Sequence, residues 1–420
     1  MTPRLSTLLR VGAACLIVAA WHLGAYPAAW AQQPAPAPGA PSAPAEAAAP
    51  ASTAMATPAM VGSLVANPKP WSVDGGPFGK VYVTGAVSGL ALFQSDPVPG
   101  DHEARADISN GHVILQTTEG LVQGYLQAGV YSFPTIGAPY VSAPRTTGDT
   151  FGPLPLAFLK LAPNDAFNIQ VGKLPTMFGA EDGFTFQNMN IERGLLWAQE
   201  PIVSRGVQMN YTQDPFTLAL SLNDGFYSDS YNWLVGSLAY APDKVSTFTI
   251  VGGGNFDHTD KNAFSGTLPP VVKTPFFQNN GSIFNLIYTY NAAPWTITPY
   301  FQYTNVPGNA FLGFPHQAST YGAALLANYA INDNVSLAGR WEYIASSGSL
   351  ASGAANPLGY GPGSDAFSFT LTPTWQNGIY FVRADASVVS ASGTTPGFAF
   401  GKFGTTTTQG RFLLETGVIF

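Results

Sequence analysis

Charged residues two positions apart recur in two stretches of the chain, Arg340 with Glu342 and Arg383 with Asp385, and Glu415 stands near the C-terminus. In an extended chain such residues share a face. A further set lies close together elsewhere, Glu181, Asp182, Glu192 and Arg193, followed by Glu200. Charges of mixed sign facing one another across a confined space set up a transverse field that sorts small solutes by charge and dipole. The alternative is a charge ladder that neutralises itself.

Other chemistry is poorly supplied. Four histidines follow the N-terminal region, His102, His112, His258 and His316, and no two have metal-ligand spacing on a strand. His258 among Asp257 and Asp260, and His102 between Asp101 and Glu103, are the nearest approach to a hydrolytic base, and each reads as a solvated loop tip. These acids could hold Mg²⁺ or Ca²⁺ at a lipopolysaccharide surface, but they lack the spacing of a dedicated loop. Gly252-Gly253-Gly254 ends a strand with no helix after it, so a phosphate cradle is unsupported. No catalytic residue, metal or cofactor is expected.

The elements that must position the charges are strands. From Gly79 on, runs rich in Val, Phe, Tyr, Leu and Thr alternate with turn material. Sixteen can be drawn, near 79–93, 108–117, 120–133, 154–162, 166–175, 205–212, 215–223, 231–241, 245–253, 281–290, 294–305, 318–330, 334–346, 365–375, 379–390 and 409–420. Every even joint is tight, such as Thr118-Glu119, Gln213-Asp214 and Asn332-Asp333, and every odd joint is longer. Sorting of loop length by parity is a property of transmembrane barrels. Aromatics gather beside the tight turns, with Tyr211 and Phe216, Tyr290 and Trp295, and Trp375 and Tyr380 flanking three of them, as an interfacial girdle requires. Pro299 and Pro373 fall inside two runs, where a missing N–H weakens a ladder. Loss of one hairpin would leave 14 strands, and division of a long loop would give 18.

Parity also orients the wall. Asn168 and Gln170 oppose Ile169 and Val171, Gln208 and Asn210 oppose Val207 and Met209, and Arg340 and Glu342 oppose Leu337, Trp341 and Tyr343. A lipid-facing Arg at the bilayer midplane would cost about 2 to 4 kcal/mol, so the polar set is expected inside. Arg340, Glu342, Arg383, Asp385 and Glu415 then fall near mid-height on the thirteenth, fifteenth and sixteenth strands. The long joint from Thr176 to Ser204 follows the fifth strand, which faces the thirteenth in a ring of sixteen. Folded inward, this third loop would bring Glu181, Asp182, Glu192 and Arg193 against Arg340, and it would bury Phe184, Phe186, Leu195, Leu196 and Trp197. The C-terminal strand turns Phe412, Leu414, Val418 and Phe420 to lipid, pairs with the first strand near Val81 and Val83, and sets Glu415 against Arg383.

Composition agrees with this class. The 420 residues include 45 Gly and 35 Pro with only 10% charged, and after Ala25 no run of about 20 apolar residues could span a bilayer as a helix. A membrane reading therefore requires a closed barrel. Residues 1–31 read as a signal peptide, with Arg4 and Arg10 before an apolar stretch and Ala29-Trp30-Ala31 as the cleavage site. Its removal takes away Cys15 and leaves 15 basic against 24 acidic residues, a net charge of −9 that disfavours nucleic acid. Residues 32–70, rich in Ala and Pro, read as a disordered periplasmic spacer, and 71–420 as the barrel.

Val171-Gly-Lys-Leu-Pro-Thr-Met-Phe-Gly-Ala-Glu181, Asn188 to Asn190, Pro201, Arg205-Gly-Val-Gln-Met-Asn-Tyr211 and Leu222-Asn-Asp-Gly225 resemble the outer-membrane β-barrel porins of the OmpL-like type. The resemblance implies a diffusion pore for small hydrophilic solutes in the outer membrane of a Gram-negative bacterium, in contact with lipid and lipopolysaccharide. It further implies that Phe420 signals to the barrel-insertion machinery, and similarity to other 16-stranded porins implies a homotrimer. The net charge suggests slight cation preference. The alternatives are a non-conducting barrel acting as an adhesin or envelope anchor, and a barrel hydrolase.

Overall fold

A computed structural model describes residues 59–261 and 275–420. The expected signal peptide, Cys15 and the Ala/Pro stretch up to residue 58 lie outside the described residues. After a short strand, β1 (Trp71–Asp74), come sixteen longer ones: β2 (Lys80–Gln94), β3 (Ala104–Thr117), β4 (Val122–Tyr131), β5 (Leu156–Leu161), β6 (Phe167–Pro175), β7 (Val203–Gln213), β8 (Phe216–Asn223) and β9 (Trp233–Tyr240). The second half consists of β10 (Ser246–Asn255), β11 (Ser282–Ala292), β12 (Trp295–Val306), β13 (Ala318–Asn332), β14 (Val335–Ser346), β15 (Asp365–Asn377), β16 (Tyr380–Ser392) and β17 (Thr408–Ile419). Neighbours in sequence pair antiparallel, and β17 pairs with β2 from Arg411↔Gln94 to Ile419↔Ala86, which closes a sixteen-stranded barrel.

Each expected strand is present. The largest boundary difference is at β3, which begins at Ala104 rather than 108. Its pairing with β2 steps from Ser88↔Asn110 to Gly89↔Ile108, leaving Ser109 as an extra residue. A bulge of this kind reverses which parity faces inward, so an alternation read back from Asn110 fails at that point. The two prolines are accommodated in a related way. Pairing of β12 with β11 passes from Tyr300 to Ile297 without Pro299, and pairing of β15 with β16 passes from Leu371 to Thr374 without Pro373. Each proline therefore faces the interruption with the side that has no N–H to offer.

Closure differs in one respect from the expected pairing near Val81 and Val83. The β17 ladder stops at Ala86, with Phe420 and Gly85 exchanging backbone hydrogen bonds at 2.9 and 3.0 Å. Below that point β1 takes over the edge of β2, Trp71 opposite Val83 and Val73 opposite Val81, and the Trp71 ring lies 5.9 Å from that of Phe420.

Outward positions form an apolar belt, including Val207, Met209, Leu218, Leu220, Leu222, Leu337 and Trp341. At its short-turn edge Phe216, Tyr240, Phe248 and Tyr288 make a chain of ring contacts at 5.1, 6.5 and 4.7 Å. The inner face is more mixed than a simple polar lining. Ile114, Tyr125, Phe158, Leu174, Tyr300 and Leu326 also point inward and are buried. They pack against apolar residues of the loop after β6 and of the N-terminal segment.

That segment is the end of the stretch expected to be a disordered spacer to residue 70. From Ala59 it is held inside the short-turn half of the barrel: Val61 N donates to Gln187 O at 3.0 Å, Ser63 Oγ to Asn328 Oδ1 at 2.9 Å, and Val65 exchanges two hydrogen bonds with the Gln376 side chain. Leu64 is buried in the core beside them. A Cβ on Gly62 would stand 2.2 Å from the Asn188 carbonyl carbon, so this approach requires glycine.

Candidate functional site

The connection between β6 and β7 starts and ends at one place, with Thr176 N donating to Ile202 O at 3.1 Å. Between these residues the chain has only short turns of helix, Thr185–Gln187 and Trp197–Gln199. Its shape is set by burial of Phe184, Phe186, Leu195, Leu196 and Trp197, and by charge.

Arg340 on β14 donates from Nη1 to Glu181 Oε1 at 2.7 Å and to Glu192 O at 2.5 Å, and from Nη2 to Thr370 Oγ1 at 3.2 Å. Glu342, two residues on, accepts from Leu195 N at 3.0 Å, Leu196 N at 3.2 Å and Ser368 Oγ at 2.8 Å. Its carboxylate also lies 3.1 Å from Arg340 Nε. Gly194 is needed here, because a Cβ would fall 2.1 Å from Glu342 Oε1 and 2.6 Å from Glu181 Oε2. The same glycine donates its N–H to Glu181 Oε2 at 2.9 Å.

A second cluster is built on β16 and β17. Arg383 meets Glu415 Oε2 at 2.7 Å and donates to Asn188 O at 2.9 Å and Thr185 O at 2.6 Å. Glu415 Oε1 accepts from Thr185 Oγ1 at 2.7 Å and Ser88 Oγ at 3.1 Å. Asp385 accepts from Glu192 N at 2.8 Å and Thr372 Oγ1 at 2.6 Å. Glu192 in turn pairs with Arg411 at 2.8 Å and accepts from Ser387 Oγ at 2.7 Å.

Seven of the nine residues singled out by sequence thus join one network: Glu181, Glu192, Arg340, Glu342, Arg383, Asp385 and Glu415. Arg193 is fully buried but rests on the Trp197 ring at 5.9 Å and donates to Ile191 O, with no carboxylate within ion-pair reach among the described residues. Asp182 keeps to its own loop, its N–H donating to Asn188 Oδ1 at 2.7 Å, and makes no ion pair among the described residues. Arg411, on the same parity of β17 as Glu415, joins the network through Glu192 as well. The hydroxyls of Ser88, Thr185, Ser368, Thr372 and Ser387 carry no charge pattern by which sequence could have found them. Every charged group of the network is at most 5% exposed, so these charges are spent on one another and on backbone.

Two other groups of polar residues stand apart from the network. On β6 and β7, Asn168, Gln170, Gln208 and Asn210 face inward and are half-buried, joined by hydrogen bonds such as Asn210 Nδ2 to Asn168 Oδ1 at 2.9 Å. In the loop, Glu200 is buried and neither carboxylate oxygen has a hydrogen-bond partner among the described residues. Burial, followed by the negative Glu181, Glu342 and Asp182 nearby, raises its carboxyl well above the usual carboxylate range.

The histidines hold no such site. His112 is buried on β3 between Tyr131 at 5.7 Å and Phe184 at 4.5 Å, and Asp101, beside His102, is occupied by Gln94, Arg105 and the Tyr140 N–H. Among the described residues no three His, Cys, Asp or Glu side chains converge as metal ligands.

Several solved structures share the barrel. An anion-selective porin from Comamonas acidovorans superimposes with a TM-score of 0.56 at 12% identity, over 81% of this chain and 99% of its own. The outer membrane channel DcaP of Acinetobacter baumannii gives 0.55 at 11% identity, over 81% and 97%. OmpT of Vibrio cholerae gives 0.53 at 14%, over 84% and 100%. At these identities the likeness is one of fold. No curated protein matches the sequence. A family model described as "Putative beta-barrel porin-2, OmpL-like" matches residues 80–420, and the chain belongs to that family of outer-membrane barrels.

Proposed function

We propose that this outer-membrane barrel acts, without catalysis, as a passive diffusion channel for small hydrophilic solutes. The observation that carries this reading is the half-exposed wall of Asn168, Gln170, Gln208 and Asn210, which water can reach, inside a closed ring whose ion-pair network is buried elsewhere. On this reading the 176–202 loop folds into the lumen and narrows the path, and the ion-pair network fastens it to β14, β16 and β17. Glu181, Glu192, Arg340, Glu342, Arg383, Asp385 and Glu415 then shape the constriction by position, and any cation preference comes from the net charge of the whole chain. Residues 1–31 act as the export signal. Phe420 is the proposed contact for the insertion machinery, and lipid and lipopolysaccharide surround the belt. A homotrimer is proposed as the working assembly, with OmpT of Vibrio cholerae, for which a trimer form is known, as a precedent of fold.

A second reading is a non-conducting adhesin or anchor, which the packed interior around Tyr125, Tyr131, Phe158 and Phe184 favours. Single-channel recording of the purified protein in a planar bilayer separates them. Stepwise conductance is expected, and its absence under conditions where an established porin opens would sink the diffusion reading.

A further inference from the structure

The ten strands from β4 to β13 contain no acid and three bases, Lys160, Lys173 and Arg205. Two of the three are engaged away from the lumen. Lys173 and Arg205 share strand parity with Val171 and Val207, which are exposed on the outer face. Lys173 Nζ donates to Phe151 O at 3.0 Å and to Leu154 O at 2.9 Å, and Arg205 Nε meets Asp224 at 2.7 Å. Lys160 differs in both respects. It shares parity with Leu156 and Phe158, which are buried in the inner core, whereas Leu159 and Leu161 are exposed on the outside. Lys160 is half-buried, and its ammonium group makes no hydrogen bond or ion pair among the described residues.

Its neighbours across the strands are amides. Gln170 on β6 stands directly opposite Lys160, and Gln208 on β7 directly opposite Gln170. Opposite residues of adjacent strands have Cβ atoms about 4.5 to 5.5 Å apart, so this row of three spans about 10 Å on one face. Gln170 Nε2 donates to Asn168 Oδ1 at 3.4 Å and Gln208 Nε2 to Asn210 Oδ1 at 2.8 Å, while the Oε1 of each glutamine accepts no hydrogen bond among the described residues. The row therefore presents one cation and two open acceptors. A carboxylate suits the first, and hydroxyl groups suit the others.

Acids elsewhere do not cancel this charge. Glu181, Glu192, Glu342 and Glu415 are each paired with an arginine, and Glu119, Asp165, Asp214, Asp243 and Asp333 are exposed on the short turns, where water and salt weaken their field. The wall that water reaches is thus positive, opposite in sign to the chain as a whole.

We propose that Lys160, with Gln170 and Gln208 beside it, forms a binding site in the lumen for small organic anions that bear hydroxyl groups, and that it gives the channel a preference for anions. The second half rests on the channel reading, and the first does not, because binding can be read without a membrane.

Titration calorimetry of the folded protein in detergent, with gluconate, glucose and acetate as probes, tests the site. Gluconate should bind about fivefold tighter than glucose, the effect of one unit charge at 4 Å in water, and tighter than acetate, which lacks the hydroxyls. Lys160→Gln should bring gluconate down to the level of glucose, and Gln208→Leu should narrow the gap between gluconate and acetate. In a planar bilayer under a KCl gradient the reversal potential should favour chloride, and Lys160→Glu should reverse its sign. Equal binding of gluconate and glucose, unchanged gluconate affinity in folded Lys160→Gln, or a cation-selective reversal potential in the unaltered protein would overturn the proposal. Gluconate binding without conductance would defeat the channel reading alone, and conductance without gluconate binding would defeat the site alone. Should a variant fail to fold, the three probes on the unaltered protein still decide.

Discussion

Arg340 neutralises two acids, Glu181 at 2.7 Å and Glu342 at 3.1 Å, and its side chain is buried. Removing one partner of a buried pair leaves an uncompensated charge and costs about 3 to 5 kcal/mol. Arg340→Ala should therefore lower the midpoint of heat-induced change in electrophoretic mobility far more than it shifts ion selectivity. A large shift towards cations with unchanged stability would mean that Arg340 faces the solute path instead. Glu200 gives a prediction with a sign. Its folded-state carboxyl is raised above the unfolded value, so the folded state holds a proton that the unfolded state has released, and stability falls as pH climbs from the ordinary carboxylate range towards the raised value. Glu200→Gln should flatten that decline, and an identical pH dependence in the variant would show that Glu200 is not its source. What sequence could supply at this scale was facing: parity put Arg383 and Glu415 on one side of adjacent strands, and they lie at 2.7 Å. What it could not supply was access. Whether a charge lines water or supports a loop depends on packing by residues such as Leu195 and Trp197, which alternation does not encode.

The strands were readable because each must separate lipid from the interior, which forces period-two alternation, and because their turns sort by length. Legibility failed wherever that constraint lapses. The bulge at Ser109 flips parity, β1 is too short to alternate, and the Ala59–Ala66 stretch has a composition that says little about order. The loop and this N-terminal segment now read as one assembly, because Val61 and Gly62 rest on Gln187 and Asn188 of the loop. Gly62→Leu should expel the segment without disturbing the barrel, seen as faster hydrogen exchange at residues 61 to 65 with unchanged exchange in β14. If exchange stays slow, the segment is held by something other than this close approach. Deleting Glu181 to Glu192 removes the acids that pair with Arg340 and Arg411 and should raise conductance. Unchanged conductance would place the loop outside the solute path.

The whole barrel is not of uniform height. Along β4, β5 and β6 the strands have 10, 6 and 9 residues, against 15 in β13. Six residues rising about 3.3 Å each and tilted by about 45° give an apolar wall of about 14 Å, well short of the roughly 25 Å band that such a barrel presents to lipid. Lipid can thin to meet a short wall only at a cost, and covering the wall with another copy removes the mismatch. The same wall bears a depression of about 430 Å³ lined by Leu115, Gly124, Leu126, Ala157, Leu159 and Val171, a recess into which side chains of a second copy could fit. This face is therefore where the proposed trimer should meet. Gly124 offers a clean test, since a Cβ there meets nothing within 4 Å in the single chain. Gly124→Trp should leave the barrel folded, judged by unchanged heat-modifiable mobility, while shifting light-scattering mass in mild detergent from three copies to one. A trimer that survives the tryptophan would put the interface on another wall, and a native protein of one copy would mean that the lipid itself absorbs the short side.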